Sequence, residues 1–147
     1  MASFTYEPPS LSSLVWIARN LRDDDLLEIA YGLPGEDPVS VLLTQVALDP
    51  TAMVAFYGEE PVAVLGCNDG RPWMLGSVKL NAIPLAMTRE AIRLRDLWLG
   101  EHGVLMNRVL RHATTNVDWL KRIGFEMVPC ADPDYLKFSM EQTYVPV

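Results

Sequence analysis

Residues 51–80 read TAMVAFYGEEPVAVLGCNDGRPWMLGSVKL, and their punctuation decides the fold class. Two apolar runs rich in β-branched and aromatic residues, Ala52–Tyr57 and Val62–Asn68, flank Gly58-Glu59-Glu60-Pro61, a connection with turn chemistry. A second turn, Asp69-Gly70-Arg71-Pro72, leads into a third run at Trp73–Leu80. The stretch predicts an antiparallel three-strand meander.

Working outward toward the N-terminus, Asp37-Pro38 is an N-cap followed by proline at the first helical position. Val39, Leu42, Leu43 and Val46 then recur at helical spacing up to Asp49-Pro50. Asp23, Asp24 and Asp25 precede Leu26–Tyr31 and Gly32. Three acids suit the positive end of a helix dipole, and this reading is preferred over a metal cluster. Ser13–Ala18 predicts a first strand, preceded by an N-terminal extension over 1–12. Toward the C-terminus, Thr88 is placed to cap a helix with Ala91, Leu94, Leu97 and Trp98 on its buried stripe, ending near Gly100–Gly103. Val104–Leu110 reads as a strand. Thr115-Asn116-Val117-Asp118 resembles a capping box for a helix through Ile123, closed by Gly124 with Phe125 packing back. Phe125–Val128 and Tyr135–Glu141 complete the order β-α-α-β-β-β-α-β-α-β-β within one domain, 1–147. The class is α+β, with seven strands in a mixed, mostly antiparallel sheet and four flanking helices.

Composition narrows the function classes. Half of the 147 residues are apolar and 21% are charged, which excludes disorder and fibrous repeats. Apolar runs such as Val39–Val46 fall far short of the ~20 residues of a spanning helix. The start MASFTYEPPS lacks the basic-then-apolar order of a signal peptide, so no membrane association and a cytoplasmic location are expected. Cys67 and Cys130 read as core thiols, and His102 and His112 have no third ligand at metal-like spacing, so no metal is expected. The net charge of −7 is uneven: residues 1–70 carry eleven acidic and two basic side chains, residues 71–147 eight and ten. An acidic total argues against nucleic-acid binding, while the basic half still suits a small anion. No nucleophile elbow, Walker loop or dinucleotide fingerprint occurs.

This element order resembles the GNAT (Gcn5-related N-acetyltransferase) superfamily over residues 13–141. Three segments are also similar to the GNAT-like proteins of tailed bacteriophages, a group labelled acetyltransferases or internal virion protein A. They are Pro72-Trp73-Met74-Leu75-Gly76-Ser77, Leu105-x-Asn107-x-Val109 and Val117-x-Trp119-Leu120-Lys121-x-Ile123-Gly124-Phe125. The resemblance implies that the fourth and fifth strands splay and that acetyl-CoA or CoA lies between them. Its pantetheine arm would then pair with Leu75, Gly76, Ser77 and Val78, and its pyrophosphate would sit at a helix start near Met87–Arg89, with Thr88 and Arg89 as ligands.

The sequence also departs from that pattern. Where the superfamily carries a glycine-rich phosphate loop, Lys79–Thr88 has no glycine and includes Pro84, which has no N–H to donate. Lys79, Arg89 and Arg93 are candidates to compensate by charge. Eleven residues before Gly124 the expected asparagine is Ala113. Four before it the tyrosine that protonates the departing thiolate is Leu120, which cannot act as an acid; Tyr135, Ser139 and Ser77 are substitutes. Glu59, Glu60 and Asp69 are base candidates by location alone, so the catalytic residues stay unassigned. Arg108, Arg111, His112, Lys121 and Arg122 cluster in sequence and suit a 3′-phosphate, an acidic partner or plain solvation. Of the four tryptophans, Trp16, Trp73, Trp98 and Trp119, most are expected in the core. Two expectations follow. One is a phage-encoded acyltransferase-like protein with weakened or lost catalysis, acting on or through a host protein in the infected cell. The other is a non-catalytic binding or virion-assembly module that keeps only the fold.

Overall fold

The computed structural model describes residues 2–143. The meander forms as expected: β2 (Met53–Tyr57), β3 (Glu60–Asn68) and β4 (Arg71–Gly76) pair antiparallel in sequence order. Every residue of β3 from Val62 to Cys67 is buried, because helices cover both faces of the sheet. On one face, Val54 and Val64 pack with Leu14, Ile17 and Leu42 from α1 (Leu11–Arg19) and α3 (Pro38–Leu48). On the other, Ala55, Ala63 and Leu65 meet Met87 and Leu94 of α4 (Pro84–His102). A third cluster joins Leu105 and Val109 of β5 (Val104–Leu110), Val117 of α5 (Thr114–Arg122) and Phe138 of β7 (Tyr135–Glu141).

Two sequence expectations change here. Ser13–Ala18 is helical, not extended: Ser10 and Ser13 form a reciprocal capping box, and Leu14, Ile17, Ala18 and Leu21 bury one stripe. Burial at helical spacing outweighs the strand preference of Val15, Trp16 and Ile17. The first strand, β1, lies earlier at Phe4–Glu7 and pairs with β2, so the described residues form five α-helices, α2 (Asp23–Gly32) included. The fourth strand stops at Gly76, short of Leu80. Ser77 accepts a hydrogen bond from the Lys79 N–H and starts a 3-10 turn, Val78–Ala82, that buries Leu80.

The sheet is split. Strands β1-β2-β3-β4 form one antiparallel unit, and β5, β7 and β6 (Glu126–Pro129) form another in the order β5-β7-β6. The expected splay of the fourth and fifth strands is therefore present. The two units meet at the start of β4, where the Met106 N–H donates to the Gly70 carbonyl at 2.9 Å and the Asn107 side-chain amide donates to the Pro72 carbonyl at 3.0 Å. Gly70 has φ +75°, and a Cβ there would lie 2.8 Å from the Val104 carbonyl oxygen. Since backbone cannot yield as a side-chain end can, Gly70→Ala is expected to cost at least about 2 kcal/mol. Thermal unfolding should show this as a fall of about 2–4 °C per kcal/mol.

Candidate functional site

The outward edge of β5 shows how the slot widens. The N–H groups of Met106, Arg108 and Leu110 alternate onto the edge that faces β4. Met106 donates to backbone, at Gly70. Arg108 donates to the Asn107 side-chain oxygen at 2.8 Å, and Leu110 to the Glu28 carboxylate of α2 at 3.3 Å. As the strands part, the acceptor changes from a neighbouring strand to a side chain and then to another element.

The edge of β4 shows the converse. Ser77 donates to Val62 at 2.8 Å, so by alternation Leu75 also turns its N–H inward to β3, while Met74 and Gly76 face outward. The Gly76 N–H donates to the Asp25 carboxylate at 2.8 Å, and its carbonyl accepts from the Arg22 N–H. The Val78 N–H donates to the Asn20 carbonyl. The backbone of Gly76, Ser77 and Val78 is thus engaged within the protein, and Met74, one step earlier, presents its N–H and C=O to the slot. A Cβ on Gly76 would stand 2.6 Å from the Leu80 Cδ1 and 3.0 Å from the Arg22 Nε, so a larger residue there would have to displace these two side chains.

Helix α2 bridges the open end through three carboxylates. Asp25, 1% exposed, holds Gly76 of β4, the Arg22 guanidinium at 3.0 Å and the Asn116 side-chain amide at 3.2 Å. Asp24 accepts from the Asn116 N–H at 2.9 Å. That carboxylate caps α5 from outside, since the helix has Ala113 as its N-cap and no side-chain cap of its own. The expected capping box at Thr115–Asp118 does not form. Glu28, one turn beyond Asp25, reaches β5. Burial pushes its carboxyl up to about 7; Asp25 and Asp24 add to the rise, and hydrogen bonds from Leu110 and Asn116 oppose it.

Between the banks runs a cavity of about 750 Å³, lined by Met74, Leu75, Glu28, Asn107, Trp119 and Leu120 among others. The remaining sequence candidates sort by distance from it. Thr88 and Arg89 do not start the helix: Pro84 begins α4 one turn earlier, Thr88 accepts from the Trp119 indole N–H, and Arg89 is exposed. The start of α4 has no side-chain cap. Lys79 pairs with Glu60, and Arg93 with Glu90, so neither charge is spare. Glu59 is an exposed turn acid, and Asp69 lines the cavity at its joined end. Ser77 is fully buried and spent on its turn, and Ser139 lies on the central strand of the second sheet unit. His112 lies beside Tyr31 with its ring tilted 39° to it, and Arg108 lies over the Tyr135 ring. Lys121 and Arg122 are exposed in the last turn of α5. Burial pushes the Cys67 thiol up to about 11, which suits an inert core thiol. Among the described residues, no three His, Cys, Asp or Glu side chains are grouped to hold a metal. No helix among the described residues is long and apolar enough to cross a membrane.

A split sheet with a helix-flanked slot between its fourth and fifth strands has close structural relatives. An acetyltransferase from Agrobacterium tumefaciens superposes with TM-score 0.69 at 18% identity, covering 95% of this chain and 91% of that one. The fold is that of the GNAT acetyltransferases. The GNAT domain of a Streptomyces lividans protein, PAT, gives TM-score 0.70 at 10% identity over 93% of this chain and 89% of its own. The PaiA N-acetyltransferase of Thermoplasma acidophilum, solved in complex with coenzyme A, gives 0.63 at 11% identity over 95% and 99%. No protein-family model and no curated protein matches the chain in sequence. At such identities the likeness to these GNAT structures establishes the fold alone.

Sequence reasoning missed Glu28 and Met74. The signal for Glu28 was its place one turn after Asp24 and Asp25, on a common helix face. Met74 follows from strand alternation once Ser77 is known to pair inward. An acid raised by folding binds more protons folded than unfolded, so the stability linked to it is present below its ordinary value near 4.5 and lost as pH rises through about 7. Denaturant titrations at several pH values should therefore show the Glu28→Gln variant losing less stability than the parent between pH 4.5 and 7.

Proposed function

We propose that the chain is an acyl-CoA-dependent N-acyltransferase in which Glu28 is the general base, and that its transfer chemistry is slow. The observation that carries this reading is a partly buried carboxyl, raised toward neutrality, that lines the cavity between the two sheet units. A base for an ammonium works best with its pKa near the working pH, and Glu28 meets that condition.

Acetyl-CoA, or a similar carrier, would supply an activated acyl thioester. The outward N–H and C=O of Met74 suit the amide groups of its arm, in the manner of an added strand. The fit to the diphosphate is poorer. The start of α4 offers N–H groups at Leu85 and Ala86, but Pro84 offers none, and the 3-10 turn at Val78–Ala82 stands where a glycine loop would close. Glu28 takes the proton from the incoming ammonium, leaving the amine lone pair free for the thioester carbonyl. Leu120, on the cavity wall, has no proton for the departing sulfur, which must take one from solvent.

The phage-like segments between Pro72 and Phe125 support a finer version, in which a phage encodes the protein and it works in the cytoplasm of the infected cell on or through a host protein. Loss of chemistry with retention of a binding role is the alternative reading, favoured by Leu120 and the missing glycine loop.

CoA is expected to raise the melting temperature or to co-purify. No shift at millimolar ligand, with nothing bound by native mass spectrometry, removes the CoA reading, and a single stoichiometric partner captured from bacterial lysate would then support the binding module. With acetyl-CoA and an amine, thiol release should rise with pH through about 7. Glu28→Gln should lower kcat roughly 10²–10⁴-fold; an unchanged rate sinks the assignment of the base.

A further inference from the structure

The cavity reaches further than the slot between β4 and β5. Besides Met74 it is lined by Leu65, Ala63 and Ala55, which sit on β3 and β2, one and two strands inward from the β4 edge. All four side chains belong to the cluster on the α4 side of the sheet. The facing wall is α4 itself, where Met87, Ala91, Leu94 and Trp98 line the cavity at helical spacing along one stripe. A branch of the cavity therefore leaves the slot at Met74 and runs between α4 and the first sheet unit. Its walls are apolar and closed to solvent: Ala55, Ala63 and Leu65 are 4%, 2% and 4% exposed, and Met87 and Leu94 are buried too. The branch ends at β1, where the Tyr6 hydroxyl donates to the Glu90 carboxylate of α4 and Arg93 closes on the same carboxylate with two hydrogen bonds. Neighbouring strands lie about 4.8 Å apart, so the three steps from β4 to β1 span roughly 14 Å.

We propose that this branch takes the hydrocarbon chain of an acyl thioester, so that the donor is a medium-chain acyl-CoA and not acetyl-CoA. The branch opens at Met74, the residue whose outward backbone suits the carrier's arm, and an acetyl group would leave nearly all of it empty. Empty apolar space forfeits dispersion contacts on both walls, and a methylene chain restores them as it leaves water. An extended chain advances about 1.2 Å per bond, as a stretched backbone does, so one of roughly ten carbons reaches Tyr6. The hydrogen bonds of Tyr6, Glu90 and Arg93 are made within the protein, which suits a plain methyl terminus. In the transfer the amine nitrogen bonds to the acyl carbon, the C–S bond breaks with its electron pair on sulfur, Glu28 keeps the amine's proton and solvent supplies the thiol's. As a donor assignment the branch rests on the acyltransfer reading; as a binding site for an apolar chain it stands apart from it.

Calorimetric titration of the full-length protein with acetyl-, hexanoyl-, decanoyl- and hexadecanoyl-CoA tests this without turnover. Each fully buried methylene strengthens binding up to about fourfold, so decanoyl-CoA is expected to bind at least about a hundredfold more tightly than acetyl-CoA. Hexadecanoyl-CoA should gain nothing further, because Tyr6 ends the branch. Ala63→Leu, which sets a larger side chain across the branch at β3, should erase the gain of decanoyl-CoA without lowering the melting temperature, since it fills space already present. Tyr6→Ala should let affinity go on rising to hexadecanoyl-CoA. Affinity that is flat with chain length, a gain that survives Ala63→Leu, or a melting temperature that falls with Ala63→Leu overturns the branch. The two readings fail separately. With an amine added, a chain-length preference in binding without thiol release keeps the branch and overturns transfer. Thiol release at equal kcat/KM from acetyl-CoA and decanoyl-CoA keeps transfer and overturns the branch. Should no acyl-CoA bind, decan-1-ol decides: one-to-one binding that Ala63→Leu removes keeps the branch, and no binding overturns it.

Discussion

Three carboxylates on one helix hold the two halves of this protein at a fixed distance. Asp25 ties α2 to β4, Asp24 ties it to α5 and Glu28 ties it to β5. Removing Asp25 would strand the Gly76 N–H and leave a nearly buried guanidinium at Arg22, a loss on the order of 3–5 kcal/mol for a broken buried pair. At the other end one backbone bond, from Met106 to Gly70, joins the halves. The slot is what remains between a backbone join and a side-chain brace.

The brace also sets the chemistry. Each acid satisfies a backbone donor that an uninterrupted sheet or a conventional N-cap would have paired otherwise. Burying them together makes the last one, Glu28, reluctant to ionise, because desolvation acts first and its two acidic neighbours add to it. Asp25 shares its position with Arg22, which meets the charge directly; Glu28 has only amide donors. The same row of acids thus yields a structural ion pair at one turn and a titratable group at the next.

Much of this was legible in the chain. The meander, the helices at Asp23 and Pro38 and the Gly124 stop follow from local pattern, because each rests on turn chemistry or periodicity within a short window, whereas the splay was expected only from the resemblance of the element order to the GNAT superfamily. What escaped depended on distant partners. The acids of α2 suit their own helix dipole, but their acceptor roles involve residues 51 to 92 positions away. In the fourth strand the outward edge at Met74 depends on register with β3, which no single strand reveals. The start of α4 was placed one turn late because Thr88 looks like a cap; Pro84 at the first position was the better signal. Ser13–Ala18 misled because its residue types favour strands and its spacing favours a helix.

The ties between α2 and the second sheet unit span 82 residues at Leu110 and 92 at Asn116, whereas each hairpin of the meander closes over a short turn. Loop closure costs more entropy as the span grows, so chain connectivity favours assembling the meander before these long-range ties. The opening between the halves therefore takes its width only when remote parts of the chain finally dock, and its dimensions report the completeness of folding.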